Sequence, residues 1–269
     1  MGPIRVNTDG IRIHSRDEFR GMRKACGVAA ETLDMISEHI APGISTDKLD
    51  QLCHEFMIKN KAIPATLGYR GFPKSCCISI NHVVCHGIPG KKVLKDGDIL
   101  NIDVTCIVDG WYGDTSRMYV AGQLQRKAAR LIEVTHESLM RGISVVKPGN
   151  TFGDIGAAIQ QFVESKKMSV VRDFCGHGLG EVFHSAPNVL HYGSPGTGPE
   201  LEPGMFFTIE PMVNLGKPDT KILADNWTAV TKDKSLSAQF EHSIGVTETG
   251  FEIFTLSPKG IFYSPQNTD

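Results

Sequence analysis

The sequence contains no run approaching the roughly 18 apolar residues that a membrane-spanning helix needs. Its start, MGPIRVNTDG, lacks the apolar centre of a signal peptide, and Val6 stands where a myristoylated chain would carry Ser or Thr. Net charge is also scarce: −2 over 269 residues leaves no bulk field to recruit nucleic acid or an anionic membrane. The 7 cysteines are odd in number and form no C-x-x-C pair. Without an export signal they read as reduced thiols, mostly small buried side chains. No stretch rich in Pro, Ser or one charge divides the chain, so the expectation is one domain over 15–269 behind an irregular arm at 1–14. Together these absences point to a cytoplasmic protein.

What is present centres on residues 100–120, LNIDVTCIVDGWYGDTSRMYV. Asp109-Gly110 is a two-residue hairpin signal between strand-forming residues. A turn there pairs Val108 with Trp111, Thr105 with Asp114, and Asp103 with Ser116. Side chains alternate along a strand and opposed residues share a face. Asp103, Thr105, Asp114 and Ser116 therefore lie on one side, and Ile102, Val104, Cys106 and Val108 on the other, the core side. The two aspartates become diagonal neighbours about 7–8 Å apart at the backbone. Carboxylates that close repel unless cations lie between them, and two divalent ions about 3.5–4 Å apart would fit. From the hairpin alone, a solvated face with incidental acids is an equal alternative.

Helical signals flank this hairpin on both sides. Ser15 with Glu18 makes a capping box opening a helix through about Ile40, Pro42-Gly43 breaks it, and Ser45 or Thr46 caps a second helix. After Gly122 the pattern restarts: helical periodicity over about 124–146, a break at Pro148-Gly149, and a helix from Thr151 to Ser165. The halves, about 15–122 and 123–255, align at an offset of 106, matching Glu31 with Glu137, Leu33 with Leu139 and Phe56 with Phe162. One residue beyond that offset, Asp103 meets Glu210. Chance likeness between two helical pairs is the alternative. If the repeat is real, it implies two pseudo-symmetric α+β halves sharing a curved sheet with helices on its back.

Further acids and histidines stand out by setting. His177 and His184 lie in FCGHGLGEVFH, Glu210 in the apolar run MFFTIEP, Glu241 in AQFEHSIGVT, and His86 in VVCHGIPG, a strand running into a turn. Taken singly, each is more simply a satisfied loop histidine or a strand acid facing water. Jointly, Asp, Asp, His, Glu and Glu form an oxygen-rich set with one imidazole, suited to hard-to-borderline divalent ions. Four carboxylates against two such ions leave the ions able to activate a water for amide hydrolysis.

The motifs LGYRGFPKSCCISINHVVCHGIP, LKDGDILNIDVT, DGWYGDTSRM, CGHGLGEVFH, FFTIEPM and QFEHSIGVT follow one another in an order that resembles the type I methionine aminopeptidases. The resemblance runs over nearly the whole chain. It implies the α+β pita-bread fold, a curved antiparallel sheet backed by helices. It implies that Asp103, Asp114, His177, Glu210 and Glu241 hold two divalent ions (Co, Mn, Fe, Zn or Ni), with Asp114 and Glu241 bridging. His86 and His184 would contact the scissile peptide, and Glu210 would handle the proton of the nucleophilic water. The methionine pocket maps to Thr66, Tyr69, Phe72, Cys77, Phe183 and Trp227, an apolar slot that suits a flexible thioether. Thr66 stands where a Cys is common in bacterial relatives, and Phe72 where a Tyr is common. A loop for a monovalent cation, Na or K, would include Asn81 and Ser237. The implied substrates are N-terminal Met peptides and nascent chains with a small second residue, met by a monomer in transient association with the ribosome.

Three rivals compete. A prolidase-like X-Pro peptidase would keep the fold and metals, but such relatives look longer, with an extra N-terminal domain. A pita-bread binding module would have lost ligands that this chain keeps. A cysteine hydrolase would use Cys85 or Cys175, yet Cys85 and His86 adjacent in one strand should point to opposite faces. Only 25 residues separate His184 from Glu210, too few for the insertion of the type II enzymes, and the zinc-binding N-terminal extension of eukaryotic type I enzymes is not seen.

Overall fold

In the computed structural model, which describes residues 5–261, Asp109 and Gly110 both take left-handed backbone, with φ of 51° and 85°. That is the geometry a two-residue hairpin turn with the right twist requires. The strands Asp98–Val108 and Trp111–Ala121 pair antiparallel in the expected register, Val108 with Trp111, Thr105 with Asp114 and Asp103 with Ser116. Ile102, Val104 and Cys106 are fully buried on the core side. They pack with Ala25, Ala29 and Leu33 of helix α1 (Glu18–Ile36). The helix comes close because Gly113 has no side chain: a Cβ there would lie 2.3 Å from the Ala25 carbonyl carbon.

Helix α1 is shorter than the expected span to Ile40, ending in a 3₁₀ turn at Ser37–His39. Its capping box is half made. Glu18 Oε2 accepts from the Ser15 backbone N–H at 2.6 Å, while Glu18 Oε1 is taken by Arg12 at 2.6 Å. Helix α2 (Thr46–Lys59) is capped by Ser45, whose side chain accepts from the Lys48 N–H. Helix α3 spans Arg126–Ser144, and α4 (Phe152–Ser165) carries the full box of Thr151 and Asp154.

The paired lengths are equal, 19 residues for α1 and α3 and 14 for α2 and α4. After α2 and α4, Lys61 and Lys167 both turn left-handed, at φ 59° and 60°. Short strands then follow at Ile63–Pro64 and Ser169–Val170. The offset of 106 thus carries through the second helix, the turn and the strand of each half. Each helix pair backs its own core, one around Leu49, Met57 and Leu100, the other around Leu139, Ile155 and Phe207.

Among the described residues all strand pairs are antiparallel. The curved sheet is divided into separately paired groups, and two of the divisions fall at acids. Phe206–Ile209 belongs to a five-stranded ladder and Met212–Asn214 to a three-stranded one, with Glu210-Pro211 between them. Proline lacks the N–H that a continuing ladder would need. Ser237–Gln239 and His242–Val246 likewise part at Phe240-Glu241, where a single bridge joins Glu241 to Ser116. The arm departs from the irregular chain expected: Arg5–Val6 and Arg12–Ile13 pair as a small hairpin. Among the described residues no helix is long and apolar enough to cross a membrane.

Candidate metal centre and its cavity

On the polar side of the hairpin, Asp114 is buried and its Oδ1 accepts from Thr105 Oγ at 2.7 Å. Thr105 is its cross-strand partner, so the pair follows directly from the turn. His177 sits in the strand Gly176–Gly178, inside a ladder and not in a glycine loop. The flanking Gly178 lets the bulged strand Ser185–Val189 approach: a Cβ on it would lie 2.0 Å from the Ala186 carbonyl oxygen. His177 Nδ1 lies 3.1 Å from the Gly178 carbonyl. Donation there fixes the tautomer and leaves Nε2 facing Asp114 Oδ2 at 3.4 Å and Glu210 Oε1 at 3.7 Å.

Single ligand atoms from Asp114, His177 and Glu241 all lie within 4.8 Å of one another. Glu241 is presented at the sheet break, its N–H donating to the Ser116 carbonyl at 3.1 Å and its carbonyl accepting from Thr115 Oγ at 2.7 Å. Glu210 is held at the other break. Its Oε1 accepts from Thr208 Oγ at 2.7 Å, its Oε2 accepts from Gln239 Nε2 at 3.3 Å, and its N–H donates to His191 Nε2 at 3.0 Å. Asp103 is not one of these three, and its Oδ1 is buried with no hydrogen-bond partner.

Burial, then the charge on neighbouring carboxylates, raises Asp103 and Glu241 well above the usual range, and burial brings Glu210 up to about 7. These are acids that lack a counter-charge. Burial works against charge on His177, but Asp114 and Glu210 more than offset it and raise its pKa. The donor set fits divalent cations: four carboxylates and one imidazole, with one buried oxygen already lacking a partner.

The acids lie at the wall of a cavity of about 630 Å³, and Thr66, Tyr69, Phe72, Cys77, His86, Phe183, His184 and Trp227 line it with all four acids and His177. Its apolar side is built of rings. Phe72 meets Trp227 edge-on with centroids 5.2 Å apart, and Tyr69 tilts against Phe183 at 4.7 Å. Tyr69 Oη lies 2.9 Å from His184 Nδ1, and the His184 ring is 4.1 Å from that of His177. Burial, aided by the His177 charge, lowers His184 to about 4, and burial lowers His86 as well, so both imidazoles are neutral at pH 7.

One expectation is overturned here. The strand ends at Cys85, and His86 takes left-handed backbone with φ 56°. Cys85 and His86 therefore both line the cavity, contrary to the opposed faces that strand alternation implies. What disfavours Cys85 as a nucleophile is burial, which raises its thiol well above the usual range, as it does less strongly for Cys175. Asn81 and Ser237 lie outside the cavity lining, joined by a bond of 2.8 Å from the Ser237 N–H to the Asn81 carbonyl.

The sequence reading does not single out Thr208, His191, Gln239, Phe174 or Met212, which support or line the site. Gln239, two residues before Glu241 in a strand pattern, carried a usable signal, since it shares a face with that acid. His191 carried none.

Comparison with known proteins agrees with this geometry. A model of metallopeptidase family M24 matches residues 20–248. The chain is 59% identical over 256 residues to the methionine aminopeptidase of Rickettsia prowazekii (strain Madrid E), covering 95% of this chain and 99% of that one. It is 53% identical over 248 residues to the methionine aminopeptidase of Escherichia coli (strain K12), covering 91% and 94%. The crystal structure of the Rickettsia prowazekii enzyme superposes with a TM-score of 0.91 at 60% identity, covering 91% of this chain and 100% of that one. The prolidase of Pyrococcus furiosus, with a TM-score of 0.72 at 22% identity over 90% of this chain and 65% of that one, shares the fold.

Proposed function

This chain belongs to metallopeptidase family M24, and from that premise we propose that it removes the N-terminal methionine from peptides and nascent chains whose second residue is small. It is a metallo-aminopeptidase, a hydrolase with a divalent metal cofactor. The observation that carries the reading is the convergence of Asp114, His177 and Glu241 within 4.8 Å beside a cavity walled by Tyr69, Phe72, Phe183 and Trp227. We assign Asp103, Asp114, His177, Glu210 and Glu241 to two divalent ions. When bound, such ions polarise the scissile carbonyl and lower the pKa of a water.

The protein's own groups do the rest. Glu210, held in the cavity wall by Thr208 and Gln239, would take a proton from the attacking water and return it to the leaving amine. His184, neutral and oriented by Tyr69 Oη at 2.9 Å, hydrogen-bonds the peptide next to the metal ligands. His86, also neutral, stands edge-on to Phe174 with centroids 5.5 Å apart and donates to the carbonyl oxygen as it gains charge. The apolar wall, with Cys77 and Thr66, takes the methionine side chain. Buried Ser237 Oγ has no partner, which supports sodium or potassium near Asn81 and Ser237. The cytoplasm and the nascent chain at the ribosome are the setting of this proposal.

Purified protein should release methionine from Met-Ala-Ser, lose that activity on exhaustive chelation, and regain it with added divalent metal. Faster turnover of X-Pro peptides would move it to the prolidase reading. Activity that survives chelation but is lost to thiol alkylation would move it to Cys85 or Cys175.

A further inference from the structure

The strand Ser185–Val189 lies at the edge of its five-stranded sheet, paired on one side with Gly176–Gly178 and on the other with no strand among the described residues. It follows His184 directly, and Ser185, Ala186 and Asn188 are exposed and line the same cavity as the metal ligands. An edge strand offers a row of unpaired N–H and C=O groups, a template for another extended backbone. Here that template is continuous with the site of cleavage. It is also short: Pro187 has no N–H and a register shift falls between Ser185 and Asn188.

We propose that the substrate chain beyond the scissile bond adds to this edge as an extra strand, its backbone pairing with Ser185–Val189 over the second to fourth residues of the substrate. The occupant follows from continuity, because a peptide whose first residue fills the apolar wall must leave past His184. Pairing through the backbone would let one enzyme hold nascent chains of any downstream sequence, while the pocket reads only methionine. This inference rests on the methionine-removal reading and extends it to the residues that follow.

The test is an amide-to-ester scan of Met-Ala-Ser-Val-Leu, replacing in turn the N–H of the third, fourth and fifth residues. Successive N–H groups of a strand point to opposite sides, so only alternate ones can meet the edge. A lost hydrogen bond is worth about 1 kcal/mol net, so kcat/KM should fall about fivefold, mainly through KM, for the ester at residue three or at residue four but not both. Equal losses at both, or no loss at either, would overturn the proposal. So would a specific activity that falls as enzyme concentration rises, since the edge would then pair with a second copy. If the parent peptide is not cleaved at all, it is the methionine-removal reading that fails, and the two failures are distinct.

Discussion

His86 and His177 both face the cavity, but their surroundings give them different work. His177 is buried among carboxylates, with Nε2 directed at Asp114 and Glu210 by the contact of Nδ1 with the Gly178 carbonyl. His86 has ring neighbours, Phe174 and Trp227, and is held in left-handed backbone. A non-glycine residue in that conformation is uncommon and re-aims the side chain from the strand's path into the cavity. His177→Ala should therefore lower metal affinity, with excess metal restoring part of the activity. His86→Ala should keep its metal and KM and lose about 10²–10³-fold in kcat, the usual cost of a hydrogen bond made in the transition state. Measuring bound metal, kcat and KM for both variants decides it: rescue of His86→Ala by excess metal would make His86 a ligand.

Helix α1 and the hairpin strand Trp111–Ala121 meet almost backbone to backbone, and this contact supports the face that carries Asp114. At Gly113 an added Cβ would lie 2.3 Å from the Ala25 carbonyl carbon and 2.4 Å from its oxygen, neither of which can swing away. Gly27, two residues from Ala25 and about half a turn around the same helix, would place a Cβ in open space. Gly113→Ala should destabilise the fold by roughly 1–3 kcal/mol through overpacking. Gly27→Ala should stabilise it by roughly 0.5–1 kcal/mol, since glycine is the poorer helix residue. Equilibrium denaturation of the two variants beside the parent tests the pair, and equal effects of one sign would show that the α1–hairpin contact is not tight. The sequence places Gly27 in a helix and Gly113 in a strand, but that Gly113 abuts Ala25 while Gly27 faces open space belongs to packing.

Across the whole molecule the N-terminal arm is fastened to the far half of the chain through His14. Its ring stacks on Phe206 at 4.0 Å, its Nδ1 lies 3.0 Å from the Gly204 carbonyl, and its Nε2 is buried without a partner. Burial lowers the His14 pKa to about 4, against about 6.5 for an unfolded histidine. The unfolded chain therefore binds a proton between those values that the folded one refuses. His14 accordingly contributes its full stability above about pH 6.5 and loses it as the pH falls, by about 1.4 kcal/mol per unit. His14→Phe keeps the stack and removes the titration. The parent should thus lose about 3 kcal/mol relative to His14→Phe between pH 6.5 and pH 4, read from denaturant unfolding at several pH values. A difference that does not change with pH would mean His14 is charged in the folded state.

By itself the sequence determined whatever depends on local period and turn chemistry. Asp109-Gly110 admits one tight turn, side chains alternate, and so Asp103 and Asp114 had to share a face while Ile102, Val104 and Cys106 took the other. The helix pairs were legible in the same way, from apolar spacing and from the Pro-Gly breaks, with the end of α1 displaced to Ile36 by the 3₁₀ turn at Ser37–His39. The six motifs, matched as a set, pointed to the family without any geometry. Tertiary structure alone decided the rest. Thr208, Gln239 and His191 reach Glu210 because separate ladders end beside it, His86 faces the cavity because the chain turns left-handed after Cys85, and Ser185–Val189 is an edge because no other strand comes to it. Such contacts join residues far apart in sequence, or depend on one backbone angle, and no local pattern encodes either.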